Sequence, residues 1–431
     1  MNKTKETFVF GFALFAGFFG AGNLILPPLL GFNSGPDWWM VALGFVISAG
    51  VIPLLAIYAH ANLQGTMFDF GLKVSKWFSM VFCFFMYVIT IALPCPRTAA
   101  VAHEIAIAPF FGTSSLLTSI VYFILAFLFV VNRNQVLGFI GKYLTPIIVL
   151  ILLTIIVIGL INPVAQMNPS KFEMPVISGL LEGYQTYDAM AGMIMGGVVL
   201  VSINNSNYEM SYQEKKHMII KSGLIAIFGL FIIYTGLIAT GASYNTQFRE
   251  NISRTELLAG LASITLGGPG SAFLSILVAL ACFTTAVAII VSIADFFKAY
   301  FNASQKAYVV TAIVCCVVGV VVGQMNVKYI INIALPVLMF IYPLCIVLIF
   351  LNSIPKRFAS KMVFRWVVFV AFVFSIPDFL GFIVVNKNLD ALKTVIPLAH
   401  QNLGWVLPAI FTFLMVNSYK VFVNRIKPLL F

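Results

Sequence analysis

The sequence predicts an all-α polytopic membrane protein of about 12 transmembrane helices, and three observations lead there. Only 9% of the 431 residues are charged, while 61% are hydrophobic; a soluble domain carries about 25% charged residues. The apolar residues come in long runs, near the roughly 20 that cross a bilayer as a helix. Short polar loops separate the runs, which lack the alternation of barrel strands. In lipid only helices and closed barrels satisfy their own backbone, so a helical bundle follows. The longest polar stretches are about 15–20 residues, near the loop scale, and no soluble domain is expected.

Twelve spans are placed at 8–30, 38–62, 77–108, 114–131, 143–162, 178–204, 218–242, 267–297, 307–325, 329–351, 363–385 and 397–419. The N-terminal "MNKTKET" precedes an apolar run as in a signal peptide. No small-residue cleavage site follows, so the run reads as a retained helix. With the N-terminus inside, 18 of the 25 Lys and Arg fall in cytoplasmic segments and 6 outside, with Arg97 within a span. That positive-inside bias puts both termini in the cytoplasm. It accounts for the net charge of +11 without a nucleic-acid partner. All six cysteines lie in apolar spans, with no CxxC and no neighbouring His, which suits buried packing thiols.

Spans 1 and 6 are both interrupted by glycine and polar residues, and spans 3 and 8 are both long. Interruptions at corresponding positions are the pointer to an inverted repeat with its binding site near the bilayer midplane. The expected division is 1–165 for the first repeat (spans 1–5), 170–352 for the second (spans 6–10) and 353–431 for spans 11 and 12. Close helix packing by small residues is the alternative for any one glycine cluster, such as "AGMIMGG" at 191–197.

The interruption in span 1 reads "GFFGAGNLILPPLL", Gly17 to Leu30. An unsatisfied backbone amide in lipid costs several kcal/mol, so irregular backbone there needs protein or a polar guest. Gly20 and Gly22 permit unwinding. Pro27 and Pro28 lack N–H groups and free carbonyls. Amides of Ala21 and Gly22 at a half-helix N-terminus would face an anion. Carbonyls around Ala16 and Phe19 would face a cation. Asn23 could cap the outer half-helix or offer its carbonyl oxygen to a cation. An amino-acid carboxylate beside a sodium ion meets both needs.

Asp188 lies in the span 6 break, "GYQTYDAMAG". A carboxylate at that depth costs at least ~2.5–3.5 kcal/mol and is a functional candidate. It could bind a substrate ammonium, hold a cation, take up a proton or cap the restarted helix. Arg97 and Glu104 lie seven apart on one face of span 3, about 10 Å along the axis. They suit a gating network, or a direct contact of Arg97 with substrate carboxylate. Phe18, Tyr187 and residues of spans 3 and 8 are candidates for an apolar side-chain pocket.

Together "FFGAGNLILPPLLG", "PRTAAVAHEI" and "GYQTYDAMAG" resemble the bacterial branched-chain amino acid:cation symporter family, over the whole chain in order and length. The resemblance implies the LeuT fold of the amino acid–polyamine–cation superfamily, leucine, isoleucine and valine as substrates, and Na+ as coupling ion. It implies a bacterial inner membrane location. It places the Ala21 and Gly22 amides at the substrate carboxylate. It assigns one sodium to the Ala16, Phe19 and Ala281 carbonyls with the Thr284 and Thr285 hydroxyls. Asn23 and Thr186 are implied for a second sodium. Spacing alone favours back-bonding of both threonines to the preceding turn; the resemblance reverses that in favour of sodium.

Proton coupling through Asp188 or Glu104 is the other transport reading. An embedded enzyme is disfavoured, since no HExxH, GxSxG or hydrolase carboxylate pair occurs. A channel would need a continuous polar lining, whereas the polar residues cluster at two breaks. The partners expected are a small amino acid and the lipid bilayer.

Overall fold

The computed structural model describes residues 3–132, 145–161, 166–204, 210–384 and 393–426. Helices occupy each of the twelve expected spans, and no strand occurs among the described residues. Seven helical stretches are long and apolar enough to cross a membrane, from Gly22–Leu63 to Lys361–Leu380; Ser115–Val131, Pro146–Ile161 and Val406–Phe422 are shorter apolar helices. Residues 143, 144, 162 and 385 of the expected spans lie outside the described residues, as do Arg133, Lys142, Lys387 and Lys427.

Span 1 is two helices, α1 (Lys3–Phe18) and α2 (Ala21–Ser34). The ladder fails at Gly20, whose amide turns back to the Phe18 carbonyl, while the Asn23 amide bonds Gly20. Gly20 is extended, at φ −102° and ψ −174°. Pro27 and Pro28 do not make the break; both sit inside α2. Span 2 is α3 (Trp38–Val46) and α4 (Ile52–Leu63), joined by a π turn, and α5 (Met67–Gly71) follows. Span 3 is α6 (Lys76–Ala92), α7 (Pro94–Ala102), a π turn over His103–Ile107 and α8 (Ala108–Phe111). Spans 4 and 5 are α9 (Ser115–Val131) and α10 (Thr145–Ile161). Span 6 is α11 (Pro175–Glu182), a 3₁₀ turn to Thr186, Tyr187 at φ +63°, and α12 (Asp188–Asn204).

The remaining spans are α13 (Tyr212–Ser243), α14 (Arg254–Tyr300), α15 (Gln305–Gly323), α16 (Val327–Ser353), α17 (Lys361–Leu380) and α18 (Val406–Ile426). Two boundaries differ most from the expected ones. Span 12 begins at Val406, after a 3₁₀ turn at Ala399–Gln401, and not at 397. Span 8 is preceded by a helix from Arg254, which bends at Gly267 (φ +74°). Its start is a capping box in which Ser253 and Glu256 satisfy each other's amides; "SRTE" is the sequence sign of that motif.

The packing pairs have an order of their own. Span 1 packs along span 7, and span 6 along span 2. Span 3 packs on span 8, and span 4 on span 9. Span 5 lies against spans 7 and 8, and span 10 against spans 2 and 3. For these pairs, replacing each span of the first five by its counterpart in the second five, and the reverse, returns the same set, in keeping with a five-plus-five inverted repeat; the packing of span 1 on span 8 has no counterpart of like extent between spans 6 and 3. Span 11 packs on spans 10 and 12, outside that set. Close approach depends on glycine: a methyl on Gly44 would lie 1.9 Å from the Val176 carbonyl oxygen, and one on Gly179 2.1 Å from that of Val41. Small residues of this kind bring membrane helices into backbone contact.

Candidate functional site

The two breaks meet at mid-bundle around a cavity of about 70 Å³. Span 1 contributes Gly17, Phe18, Gly20 and Asn23, and span 6 contributes Thr186, Tyr187, Met190, Ala191, Ile194 and Met195. Span 3 adds Thr90, Pro94, Arg97 and Thr98; span 8 adds Thr285, Ala288, Ile289, Ser292 and Ile293. The wall is uneven in character. Arg97, Asn23 and Thr186 are at the level of the breaks. Ile194 is seven residues past Tyr187, about 10 Å farther toward the end of the bundle that carries the N-terminus.

Arg97 is placed by the sequence "LPCPR". Span 3 turns at Leu93 (φ −121°, ψ −71°), and Pro94 opens α7, where a missing N–H costs nothing. That puts Arg97 in the first turn of α7, 5% exposed, directly against the span 1 break. A methyl on Gly22 would lie 2.3 Å from Arg97 Nη2. Arg97 Nη1 donates to the Gln185 carbonyl at 2.7 Å, and the guanidinium lies 5.0 Å from the Tyr187 ring centroid. Its Nε has no partner among the described residues. A guanidinium therefore sits beside the N-terminus of α2, whose first amides have no acceptor within the helix. Both are electropositive, so together they form a cradle for an anion.

Above this cradle, away from the N-terminal end, is a polar layer. Arg254 Nη1 donates to Gln185 Oε1 at 2.8 Å, Gln185 Nε2 donates to Glu182 Oε2 at 2.6 Å, and Arg254 lies 3.8 Å from Glu182. The layer does not line the cavity; it ties the start of α14 to the span 6 break beside Arg97, which the Gln185 carbonyl holds.

Asp188 is fully buried as the first residue of α12. Asn23 Nδ2 donates to both of its oxygens at 2.9 Å, and Tyr234 donates to Oδ2 at 2.9 Å. Asn23 also contacts the Tyr234 hydroxyl. Asp188 thus lies behind the cavity wall, not in it, because two side chains and the helix N-terminus already claim it. Asn23 does not cap α2; its amide is turned to Asp188. Thr186 lines the cavity, donates to Gly183 and accepts from the Asp188 amide at 3.3 Å.

Thr284 and Thr285 both donate to the Ala281 carbonyl, at 2.9 and 3.0 Å. Span 8 abuts the break there, since a methyl on Gly20 would meet Thr285 Cγ2 at 3.3 Å. In span 1 the amides four residues beyond Ala16 and Phe19 bond Phe18 and Gly20 instead. Those two carbonyls have therefore lost their helical donors.

Arg97 and Glu104 do not meet. Glu104 accepts from Thr255 at 2.8 Å and from the Val327 amide at 2.9 Å, tying span 3 to the starts of α14 and α16. Arg97 instead pairs with Gln185; the π turn over His103–Ile107 begins between the two residues and takes Glu104 off the straight-helix register. Phe18 and Tyr187 line the cavity.

The sequence model of the branched-chain amino acid transport protein family matches residues 3–422. The chain belongs to that family. It is 31% identical to the branched-chain amino acid transport system 2 carrier protein of Pseudomonas aeruginosa, over 94% of each chain. It is 32% identical to the branched-chain amino acid permease BrnQ of Bacillus subtilis, covering 93% of this chain and 94% of that one. Its fold is similar to that of Mhp1, a nucleobase-cation-symport-1 family transporter, in its inward-facing form. The TM-score is 0.62 at 13% identity, over 97% of this chain and 91% of that one. Since the relatives are named carriers and permeases, this member of the branched-chain amino acid transport protein family is a transporter and not an enzyme. In this family member, sequence reasoning missed Gln185 and Arg254 as a polar layer and Tyr234 as a partner of Asp188. The capping box "SRTE" could have raised Arg254 from loop to helix start; a lone Tyr in an apolar span carries no such sign.

Proposed function

We propose that this transporter imports leucine, isoleucine and valine by sodium symport with alternating access. The observation that carries the reading is the anion cradle of Arg97 and the α2 N-terminus, opening onto a mostly apolar cavity. A substrate α-carboxylate would neutralise the cradle, and a branched aliphatic side chain would lie along Met190, Ile194 and Ile289. Discrimination by one methylene is worth only ~1–3 kcal/mol, so the three substrates should overlap. Sodium would take the donor-free carbonyls of Ala16 and Phe19, the Ala281 carbonyl and the lone pairs of Thr284 and Thr285, whose protons already point at Ala281. Ion and carboxylate would then act on one backbone segment, Ala16 to Gly22.

The pairing order of the spans supports repeats at 1–165 and 170–352 with 353–431 appended, and rocking of one set of spans against the other as the access step. The lysine and arginine bias supports both termini in the cytoplasm of a bacterial cell. The cavity then extends inward, and the Arg254–Gln185–Glu182 layer lies toward the outside. A proton-coupled carrier is the second reading, favoured by the buried Asp188 held between the two broken helices. Thr284→Val with Thr285→Val, assayed by leucine uptake in proteoliposomes with and without a sodium gradient, separates them. Loss of sodium stimulation is expected. Unchanged sodium dependence sinks the ion assignment, and uptake driven by a pH gradient alone in the unsubstituted protein favours the proton.

A further inference from the structure

A second cavity, about 600 Å³, opens between spans 3, 10 and 11 and shares no wall residue with the first. Every residue of its wall is apolar except Arg365. The groove faces outward: Val81, Phe85, Phe369 and Phe372 are exposed. From Arg365 to Phe379 along α17 it runs about 21 Å at 1.5 Å per residue. Its far end is closed by Phe340 packed on Phe372 and Phe379, with ring centroids 5.3 and 5.6 Å apart. One leaflet of the hydrocarbon core is about 15 Å deep. At about 21 Å the groove is longer than that depth, enough to take one acyl chain along its length, and the three rings close its far end.

Its mouth is cationic. Arg365 Nε donates to the Val74 carbonyl at 3.0 Å, which pins the exposed guanidinium at the groove's end through one of its three nitrogens. Lys73 lies over the Phe364 ring at 4.5 Å and close enough to Lys356 for the two charges to repel. Lys76 and Lys361 are exposed at the starts of the same two helices. The carboxylate of these segments, Asp69, is engaged by the Thr66 amide at 2.7 Å. Exposed Trp77 and Trp366 flank the mouth, the placement of residues at the headgroup level. Mutually repelling cations above a long apolar slot are complementary to one kind of occupant.

We propose that this groove binds an anionic phospholipid, one acyl chain between spans 3, 10 and 11 and the phosphate on Arg365 among the lysines. The test uses the full chain in detergent, mixed with equal amounts of phosphatidylglycerol and phosphatidylcholine of matched chains, and reads bound lipid by native mass spectrometry. One phosphatidylglycerol should be retained, at least about tenfold over phosphatidylcholine, where each tenfold is 1.4 kcal/mol. Arg365→Gln should abolish the preference and Arg365→Lys keep part of it, while Val81→Trp, which fills the slot, should lower retention of both lipids. Equal retention of the two lipids, an unchanged preference in Arg365→Gln, or a protein dimer occluding the face would overturn the proposal. Should the variants fold poorly, tryptophan quenching in the unsubstituted protein decides. Brominated phosphatidylglycerol should quench saturably and more strongly than brominated phosphatidylcholine, and equal quenching refutes the site.

Discussion

Gly22→Ala tests the anion cradle at its tightest point. The added methyl would sit 2.3 Å from Arg97 Nη2 and 2.8 Å from Cζ. Ordinary contact begins near 3.4 Å, so the guanidinium must retreat by about 1.1 Å. It is buried, and its Nη1 is held at 2.7 Å by the Gln185 carbonyl. A shift of that size along the bond stretches it to about 3.8 Å, outside hydrogen-bond range. A hydrogen bond from a charged group contributes about 1.5–3 kcal/mol. If that loss falls on the substrate-bound state, leucine affinity drops by about 10- to 150-fold. Alanine is the better helix former, by up to ~1 kcal/mol, so thermal stability in detergent should hold. The assay is leucine binding or counterflow in proteoliposomes, paired with a thermal melt of the same preparation. Gly50→Ala is the control, because Gly50 lies outside the cavity wall and its methyl would make only ordinary contact, with Val46 Cγ1 at 3.5 Å. Wild-type leucine affinity in Gly22→Ala would show that Arg97 has no part in substrate binding.

Tyr234→Phe removes the 2.9 Å bond to buried Asp188; at about 1.5 kcal/mol or more it should cut uptake roughly tenfold, and uptake equal to wild type would remove Asp188 from the transport cycle. Gly179→Ala should lower the melting midpoint, since its methyl would lie 2.1 Å from the Val41 carbonyl oxygen and overpacking costs about 1–3 kcal/mol. Gly268→Ala, with open space around it, should leave the midpoint unchanged, and equal melts for the two would refute the close-packing argument.

What was legible in the sequence was what lipid dictates locally. Spans follow from apolar length, and the break in span 1 follows from Gly20 and Gly22. The pairing of breaks in spans 1 and 6 follows from order. The position of Arg97 was legible as an oddity, but its partner was not. Helical spacing pointed from Arg97 to Glu104, and that argument assumes a straight helix. The π turn over His103–Ile107, which begins between the two residues, breaks the assumption. Asp188 was legible as a buried charge, yet its donors come from residues 23 and 234. Such distant partners leave no spacing to read.

Asn23, Asp188 and Tyr234 explain how two breaks can behave as one. The carboxylate stands at the N-terminus of α12, where the helix dipole favours a negative charge. Its donors come from α2 and α13, so three helices converge on one acid at the level of the cavity. Asn23 is three residues beyond Gly20, and any rewinding of that turn swings its amide off Asp188. Tyr187, held at φ +63° just before the acid, also faces Arg97. A change at one break is therefore transmitted to the other through a hydrogen bond on one side and a cation–ring contact on the other. On the proposed reading, sodium at Ala16 and Phe19 and a carboxylate at Arg97 both bias this single segment. Linkage then requires each to raise the affinity for the other by the same factor, which is the thermodynamic condition for symport.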